Sequence, residues 1–287
     1  MSTQLSNVIT AKMHPIGTGC TIAQFRHDLF NAGMMSPFVM VDHFYMWEPT
    51  FDVHPHAGFS AVTMVFEDTK GTMISQDSLG NNAVFGAGDL HWTMAGRGIM
   101  HTQVPVGAQS HIHALQIFVN LPAAQKNLPA DSFHISSDKI PIIENEGSRV
   151  RVVSGDFQGN ISLTRAPRSI LMLDVQFQKA DANIEVPLPG QWNAWILIVE
   201  GDVIVDNSSE IVSGQAICVS ADDQGGTFRL KGSEGAQCVV LAAERIDEPM
   251  IVQGPFVFES KTSLDKAVDD FRAGKFGSVV FKQMDSD

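Results

Sequence analysis

Residues 54–67 have the sequence HPHAGFSAVTMVFE, and residues 187–200 have the sequence PLPGQWNAWILIVE. Each segment begins with an entry that contains Pro and Gly and continues as an apolar run of strand length ending in Glu. When the two segments are aligned, prolines of the second stand at the positions of His54 and His56 in the first. This weak repeat predicts two equivalent β domains, with histidine chemistry confined to the first.

Further apolar runs of strand length lie along the whole chain, and turn signals separate them. The runs are 59–66, 112–119, 169–177, 194–199, 202–205, 216–219 and 237–242. The turns are SLGNN (78–82), GAGD (86–89), AGRG (95–98), EGD (200–202) and DDQGG (222–226). Many short strands joined by turns predict an all-β architecture of the sandwich or barrel type.

The length of 287 residues suits two domains of roughly 140 residues each. A polar, proline-containing stretch at 121–145 is expected to be a linker that also packs. We therefore place an N-terminal domain at 1–134 and a C-terminal domain at 135–287. One helix is predicted near the C-terminus, with a capping-box-like start at Thr262 and a stop at Gly274.

The composition argues against several classes of protein. The net charge of −13 repels nucleic-acid phosphates, and no Lys/Arg cluster offsets it, so we expect no direct DNA or RNA binding. No apolar run reaches the roughly 18 residues of a membrane-spanning helix, and the N-terminus shows no secretion signal. Three scattered cysteines give no disulfide framework, which favours a cytoplasmic protein.

The histidines are distributed very unevenly along the chain. All ten lie in the first 134 residues, and residues 135–287 have none. With no histidine and only two buried-looking cysteines, Cys218 and Cys238, the C-terminal domain is a poor candidate for a transition-metal site. We therefore expect such a site in the N-terminal domain.

Two pairs of residues in that domain have the spacing of metal ligands on a β-strand. His54 and His56 are separated by one residue, so in a strand their side chains point to the same face. His101 and Gln103 repeat this spacing, and Gln103 adds an amide oxygen. Neutral imidazoles suit Zn, Fe, Ni or Cu. Because Pro55 cannot donate a ladder hydrogen bond, this segment is expected at a strand start or barrel rim, where a metal would meet solvent and ligand.

Each of these residues also has a structural interpretation. A histidine is commonly a surface or hydrogen-bonded polar residue, and the amide oxygen of Gln103 would be a weak ligand for a transition metal. His91 precedes Trp92 in a strand-like run, which favours a structural role. His113 shares a strand face with Leu115 and is a candidate hydrogen-bonding partner of a metal ligand.

Two further motifs have a structural and a functional interpretation. His43, in VMVDHF, is expected to be structural, with the lining of a pocket as the alternative. The turn at 95–98 (AGRG) is similar to an anion-binding nest, but no helix follows it. We therefore expect a tight turn whose glycines place His101 on the next strand.

Five segments, in order, resemble the pirin family of bicupins. They are FVMVDHF (38–44), HPHAGF (54–59), DSLGNNAVFGAGDLHWTMAGRGIMHTQ (77–103), HALQIFVNLPAAQK (113–126) and GPFVFES…AVDDFRAGKFG (254–277). The resemblance covers most of the chain and is weakest in the centre. It implies two cupin-type barrels (double-stranded β-helix) face to face, with a short C-terminal helix.

The resemblance also implies one mononuclear metal, commonly iron, in the N-terminal barrel. Its ligands would be three histidines and a glutamate, which by motif position fall on His54, His56, His101 and Gln103. Fe(II) is thus the expected ion, with Ni, Zn, Mn and Cu as alternatives. The functions proposed for the family are flavonol (quercetin) 2,3-dioxygenase activity and non-enzymatic regulation through protein partners. Two barrels in one chain are also compatible with a monomer.

The chain departs from the family pattern at two positions. Gln103 stands at the glutamate position, and Ala57 stands where the family often has Arg after HPH. Glutamate would supply a negative charge to the ion and would accept the flavonol hydroxyl proton as a general base. A neutral amide can do neither, so a catalytic role at Gln103 is in question.

Three hypotheses follow from the sequence. The first is a metal-dependent dioxygenase that binds a small aromatic, flavonol-like ligand. The second is a metal- or redox-sensing protein that acts through protein partners without turnover. The third is a barrel scaffold whose metal site has degenerated. The sequence alone leaves open whether the protein is an enzyme.

Overall fold

The computed structural model describes residues 3–31, 33–162 and 164–281. Within these ranges the chain is almost entirely β, as predicted, and α1 is its one α-helix. No helix among the described residues is both long enough and apolar enough to cross a bilayer.

In chain order, twelve strands of the described residues form a first group before residue 137, and thirteen form a second group after it. The first group is β1 (Thr3–Leu5), β2 (Ile9–Thr10), β3 (His14–Ile16), β4 (Cys20–Arg26), β5 (Phe38–Met46), β6 (His54–His56), β7 (Phe59–Val65), β8 (Lys70–Asp77), β9 (Asn82–Gly86), β10 (Leu90–Met94), β11 (Ile99–Asn120) and β12 (Asp131–Ile135). The second group is β13 (Ile142–Asn145), β14 (Ser148–Phe157), β15 (Asn160–Ser162), β16 (Ile170–Phe177), β17 (Asn183–Leu188), β18 (Trp192–Glu200), β19 (Asp202–Val205), β20 (Ile211–Val212), β21 (Gln215–Ala221), β22 (Gly226–Gly232), β23 (Gln237–Glu244), β24 (Ile251–Gln253) and β25 (Phe256–Phe258). Short 3-10 turns lie at His27–Leu29, Ala123–Gln125 and Ser137–Lys139, and α1 spans Lys261–Arg272.

Each apolar run that was predicted to be a strand lies within an observed strand or extends at most one residue beyond it, although β11 is much longer than its predicted run. β7 is buried along its whole length, because both faces of this mostly apolar strand are covered. β17 instead alternates exposed and buried residues, as expected of a strand with one face on the core.

The described chain divides into two compact units that are not consecutive in sequence. The first, here the apolar unit, comprises the described residues up to Lys12, Ala23–Met40 and Asp138–Asp247. The second, here the histidine unit, comprises Met13–Ile22, Val41–Ser137 and the described residues from Glu248 onward.

The division expected after residue 134 lies close to the crossover at 137–138, but both ends of the chain belong to the opposite unit. Pairing explains the N-terminal exchange, because β1 and β2 hydrogen bond to β21. Packing explains the C-terminal exchange, because apolar side chains of β25 and α1 cover Ala57. The domain bounds of 1–134 and 135–287 stay a prediction, and the compact units differ from them at both ends of the chain.

The apolar unit is built on two sheets with one shared core. Their strand orders are β1-β21-β18-β23-β16-β14-β13 and β17-β22-β19-β20. Buried aliphatic and aromatic side chains from both sheets form a single cluster that includes Val150, Val186, Ile196 and Phe228. The interior of this unit is packed with apolar side chains.

The internal repeat is confirmed by the backbone. His54–His56 and Phe59–Val65 form β6 and β7, while the aligned segment forms the end of β17 and β18. The residue that precedes the long strand has positive φ in both copies: Gly58 at 84° and Gln191 at 65°. The same turn therefore leads into the equivalent strand of each unit.

β11 is the central element of the histidine unit. Its first half pairs with β6 and β8, and its second half pairs with β7. The register shifts between Val106 and His111, and this bulge separates the two halves. A cluster that includes Met73, Phe85 and Ala114 fills part of the interior.

The described C-terminal residues complete the histidine unit. Ala57 donates a backbone hydrogen bond to Pro255 (3.2 Å) and accepts one from Val257 (3.1 Å), directly after the HPH segment. At Gly58, an added Cβ would lie 2.0 Å from the Val257 carbonyl oxygen, so only glycine allows this close approach. The backbone beside His56 is thus hydrogen-bonded to the C-terminal segment at Pro255 and Val257.

Lys126 joins this segment to β7 and β11. Its side chain is buried, and Nζ donates to the carbonyls of Gly58 (2.9 Å) and Val257 (3.0 Å) and to Oδ1 of Asn120 (2.6 Å). Burial lowers the pKa of Lys126 to about 8, and nearby glutamates oppose that shift. Three acceptors match the three donors of the ammonium group.

The N-cap of α1 lies two residues before the predicted cap at Thr262. Ser260 is the N-cap, because its backbone is extended and its hydroxyl accepts from the Ser263 amide (3.2 Å). Asp265 instead forms an ion pair with Lys261. The predicted stop is confirmed, since the helix ends at Arg272 and Gly274 has positive φ.

Candidate metal centre

The register of β6 on β11 brings the predicted ligands together. His54 lies opposite His101, and Ile99 lies opposite His56. Since opposite residues of an antiparallel pair share a face, His54 and His101 are neighbours, and His56 follows on the same face. β6 has three residues and pairs only with β11 among the described strands, so Pro55 costs no ladder bond on its other side.

The ring nitrogens of the three histidines converge. His54 Nε2 lies 3.1 Å from Nε2 of His56 and 3.1 Å from Nε2 of His101. The ligand atoms of all three lie within 4.8 Å of one another. No other set of three or more His, Cys, Asp or Glu residues in the described ranges forms such a group. Two nitrogens bonded at right angles to one ion at 2.0–2.1 Å are about 3 Å apart. The donor set therefore fits a single transition-metal ion.

A backbone hydrogen bond selects the tautomer of His54. Its Nδ1 lies 2.7 Å from the carbonyl oxygen of Asp52, which can only accept, so Nδ1 bears the proton. The lone pair of the neutral ring is then on Nε2, which faces the other two histidines. This is how proteins orient an imidazole toward a metal.

Burial keeps the three imidazoles neutral. It lowers the pKa of His54, and it places the pKa of His56 and His101 well below the ordinary histidine value. The neighbouring histidines lower the pKa of His56 and His101 further, and the Pro255 carbonyl opposes the shift at His56. All three rings are therefore available as neutral donors at neutral pH.

Gln103 lies on the same face of β11 as His101, two residues further along the strand. Its side chain is buried, its Oε1 is 2.8 Å from Thr63 Oγ1, and its Nε2 has no hydrogen-bond partner among the described residues. Thr63 Oγ1 is also 3.0 Å from Oε1 of Gln116. One hydroxyl has one proton, so it cannot donate to both amide oxygens.

Rotating the Gln103 amide by half a turn resolves this conflict. Its Nε2 would then donate to Thr63 Oγ1, the Thr63 hydroxyl would donate to Gln116, and Oε1 of Gln103 would be free of protein donors. Thr63 is thus the residue that decides which Gln103 atom is free. The sequence analysis did not identify Thr63, because its side-chain direction depends on the register between β7 and β11.

Aromatic side chains flank the histidines. The His56 ring is 5.0 Å from the Phe59 ring and 5.3 Å from the Phe118 ring, measured between centroids. Both contacts are edge-on, and the two phenylalanine rings are 4.5 Å apart. An apolar wall beside neutral nitrogen donors suits an aromatic ligand.

His91 is a packed interior residue, in agreement with its predicted structural role. Its ring stacks on Phe85 at 4.9 Å with an interplanar angle of 9°. Burial lowers the pKa of His91 to about 4. A neutral, stacked imidazole is a stable part of this core.

His113 is not a partner of the metal ligands, which corrects one prediction. Its Nδ1 contacts the Asp68 carboxylate (2.8 Å), and its Nε2 lies 2.7 Å from Nε2 of His43. The alternation of β11 explains this placement, because Gln116 and Phe118 face the candidate centre and His113 faces the opposite side. His43 likewise belongs to this second cluster and does not line the centre.

Comparisons with known proteins agree with this fold and site. The family described as Pirin matches residues 20–119, and the family described as Pirin C-terminal cupin domain matches residues 172–277. Human pirin is 30% identical over 85% of this chain and 83% of its own length. Pirin-like protein 2 of Arabidopsis thaliana is 31% identical over 87% of this chain and 78% of its own length. The crystal structure of quercetin 2,3-dioxygenase from Acinetobacter baumannii is 26% identical, with a TM-score of 0.84 over 98% of this chain and all of that one.

Fold and matches together define a bicupin with one candidate metal centre. The chain belongs to the pirin family. The three histidines that the sequence resemblance implied as ligands converge in the structure, while the fourth position, Gln103, lies on the same strand face.

Proposed function

We propose that this protein is a mononuclear metal-dependent oxygenase of the quercetin 2,3-dioxygenase type. His54, His56 and His101 would hold the ion, and Gln103 would be the fourth group beside it. The observation behind this proposal is the convergence of three neutral imidazoles, with Nε2 of half-buried His54 lying 3.1 Å from Nε2 of buried His56 and of buried His101. The similarity over nearly full length to the Acinetobacter baumannii dioxygenase supports the choice of reaction.

A divalent transition ion at these imidazoles, Fe(II) in the first instance, would supply the Lewis-acid and redox chemistry that oxygenation needs. The protein's own contribution is orientation. Asp52 fixes the ring of His54, and Phe59 and Phe118 form an apolar wall against which a flavonol ring can pack. Burial around His56 and His101 excludes water from one side of the centre.

Gln103 sets how the substrate proton is handled. A carboxylate at this position would accept the flavonol hydroxyl proton, and an amide cannot. Asp77, which lies opposite His101 on β8, is no substitute, because its oxygens accept from Leu79, Asn81 and Ser132. The flavonol must then arrive as the anion. We expect kcat/KM to rise with pH through the ionisation of the substrate hydroxyl.

The first test is metal content. Untagged protein purified without chelator should contain about one metal ion per chain, and His101→Ala should lose it. His111→Ala is the matched control, because His111 is an exposed histidine on the same strand and should leave the metal content unchanged. Absence of metal from the wild-type protein after anaerobic loading with Fe(II) would contradict the proposal.

The second test is turnover. Protein loaded anaerobically with Fe(II) should consume O₂ when quercetin is added, and the His101→Ala variant should not. Stoichiometric metal without O₂ uptake would reject the oxygenase and leave the metal centre standing.

The neutral amide at Gln103 favours one alternative, a metal-responsive binding protein without turnover. In that case the metal-loaded and metal-free protein would capture different protein partners. Identical capture by both forms would count against this alternative.

A further inference from the structure

A cavity of about 530 Å³ in the histidine unit is not lined by the three histidines of the candidate centre. It lies between α1 and the 95–98 turn that precedes β11. Its lining includes Arg97, Phe258, Lys266, Asp270, Lys275 and Phe276. We call it the Arg97 cavity. Its volume is in the range of small-molecule sites.

The inner wall of the Arg97 cavity is aromatic and packed. Phe258 and Phe276 are both buried. A Cβ added at Gly98 would lie 2.1 Å from the Phe276 ring, so the ring packs directly on the glycine backbone. The apolar wall is therefore shaped by the AGRG turn.

Two lysines at the rim share one carboxylate. Asp270 Oδ1 accepts from Lys275 Nζ (2.6 Å), and Asp270 Oδ2 accepts from Lys266 Nζ. These two bonds hold the pKa of Asp270 below its ordinary value, so the group is a carboxylate at neutral pH. One negative charge thus positions two ammonium groups beside the cavity and neutralises only one of them.

Arg97 adds a third cation. Its guanidinium forms no hydrogen bond or ion pair with any residue in the described ranges. The turn is not a backbone nest, because the amides of Arg97 and Gly98 already donate to Leu128 and Ala95. In a chain of net charge −13, three cations against one carboxylate around an aromatic wall indicate a site for an anion.

We propose that the Arg97 cavity binds a small aromatic carboxylate. The ring packs on Phe258 and Phe276, and the carboxylate lies among Arg97, Lys266 and Lys275. A planar guanidinium matches a carboxylate through two parallel hydrogen bonds, and the lysines add point charges. The inference stands apart from the metal centre and from any oxygenase activity.

The test is isothermal titration calorimetry of the full chain with 2-naphthoate, in the presence and absence of excess chelator. We expect saturable binding with the same Kd in both conditions, because the Arg97 cavity requires no metal. Arg97→Gln and Lys275→Gln should each weaken binding about ten-fold, the effect of losing one charge-assisted hydrogen bond. Neutral 2-naphthamide should bind more weakly than 2-naphthoate to the wild-type protein.

Lys179→Gln is the matched control, because the side chains of Lys179 and Lys275 are both 65% exposed and Lys179 lies in the apolar unit. It should leave the Kd unchanged, and all variants should unfold at the wild-type temperature. Three results would overturn the proposal. They are a Kd weaker than about 10 mM, binding that chelator abolishes, and a Kd unaffected by Arg97→Gln.

Discussion

At the scale of single residues, the atoms around Gln103 determine what the candidate centre can do. Three neutral imidazoles leave the full charge of a divalent ion uncompensated, and the amide adds a dipole without a charge. Among the described residues, the hydroxyl of Thr63 is the one hydrogen-bond partner of that amide. Single substitutions can test the effect of the missing charge at Gln103 and the effect of the Thr63 hydroxyl.

Replacing Gln103 by Glu should tighten metal binding by on the order of ten-fold or more, because a buried carboxylate attracts the ion directly. Any flavonol oxygenase rate should rise by roughly two orders of magnitude through general-base catalysis. The pH profile of kcat/KM should also shift to lower pH. Competition with a chromophoric chelator measures the metal affinity, and O₂ uptake over a range of pH measures the rate and its pH profile.

The control for Gln103→Glu is Gln215→Glu, which introduces the same group at a half-buried site of the apolar unit. It should leave metal affinity and rate near the wild-type values. If Gln103→Glu changes neither quantity, the residue lies outside the reach of the ion.

Replacing Thr63 by Val removes the hydroxyl while preserving the shape of the side chain. The Gln103 amide then has no fixed orientation, and we expect metal affinity to fall about ten-fold, as for other residues that orient a metal ligand. Thr93→Val is the matched control, because Thr93 is a buried threonine on the adjacent β10 that contacts His91 instead. Equal affinities of the two variants would exclude a positioning role for Thr63.

The residue patterns in the sequence predicted part of this centre. The one-residue separation of His54 and His56 placed both on one face without knowledge of the fold. Thr63 and the outward direction of His113 could not be predicted, because they depend on the register between β7 and β11. Register is a property of two strands distant in sequence, and a single strand does not encode it.

At the scale of elements, β25 is held against the HPH segment by backbone bonds and by Lys126. Replacing Lys126 by Met would leave the carbonyls of Gly58 and Val257 buried without their donor. We expect the free energy of unfolding to fall by about 3 kcal/mol, measured in denaturant titrations. Lys179→Met, at an exposed site, should change it by less than about 0.5 kcal/mol.

A loss below about 1 kcal/mol in Lys126→Met would mean that water replaces the ammonium group as donor. Metal content measured on the same variant would report whether β25 also supports His56, whose neighbour Ala57 is bonded to Pro255 and Val257.

The elements themselves were largely predictable. Continuous apolar runs and Gly-rich turns indicated β7, β16, β18 and β23, since each run is long enough to bury a strand and too short for a helix. The helix was also predicted, but its N-cap lies two residues earlier than predicted. Thr262 and Ser260 both have a capping hydroxyl, and only the extended backbone at Ser260 allows the capping bond.

At the scale of the whole molecule, the two units are assembled from exchanged segments. Length and the internal repeat predicted two domains, and these features are properties of the sequence read in order. The exchange of both chain ends could not be predicted in this way. It depends on the pairing of β1 and β2 with β21 and on the packing of β25 and α1 over Ala57.

Stability should fall in acid because buried neutral histidines resist protonation. Burial lowers the pKa of His43 to about 3 and of His91 to about 4, whereas the unfolded value is 6.5. Below pH 6.5 the unfolded chain therefore takes up protons that the folded chain does not. The contribution of these two histidines to the free energy of unfolding is complete above pH 6.5 and is lost as pH falls toward 4. At pH 5 the loss is on the order of 2 kcal/mol per histidine.

Denaturant titrations at pH 7.5 and pH 5, with excess chelator to remove any effect of metal release, measure this loss. His91→Gln should reduce the difference between the two pH values, while His111→Gln, at an exposed site, should not. Equal pH dependence in all three proteins would mean that His91 does not contribute.

The discontinuous histidine unit also has a consequence during biosynthesis. Residues up to Ser137 are synthesised before Asp138–Asp247, and the segment that packs on Ala57 is synthesised only after that. At about 5–20 residues per second this interval lasts roughly 5 to 20 s. During that time His54, His56 and His101 exist as a nascent barrel that lacks its C-terminal cover. The HPH segment therefore gains its backbone hydrogen bonds with Pro255 and Val257 only after Asp138–Asp247 have been translated.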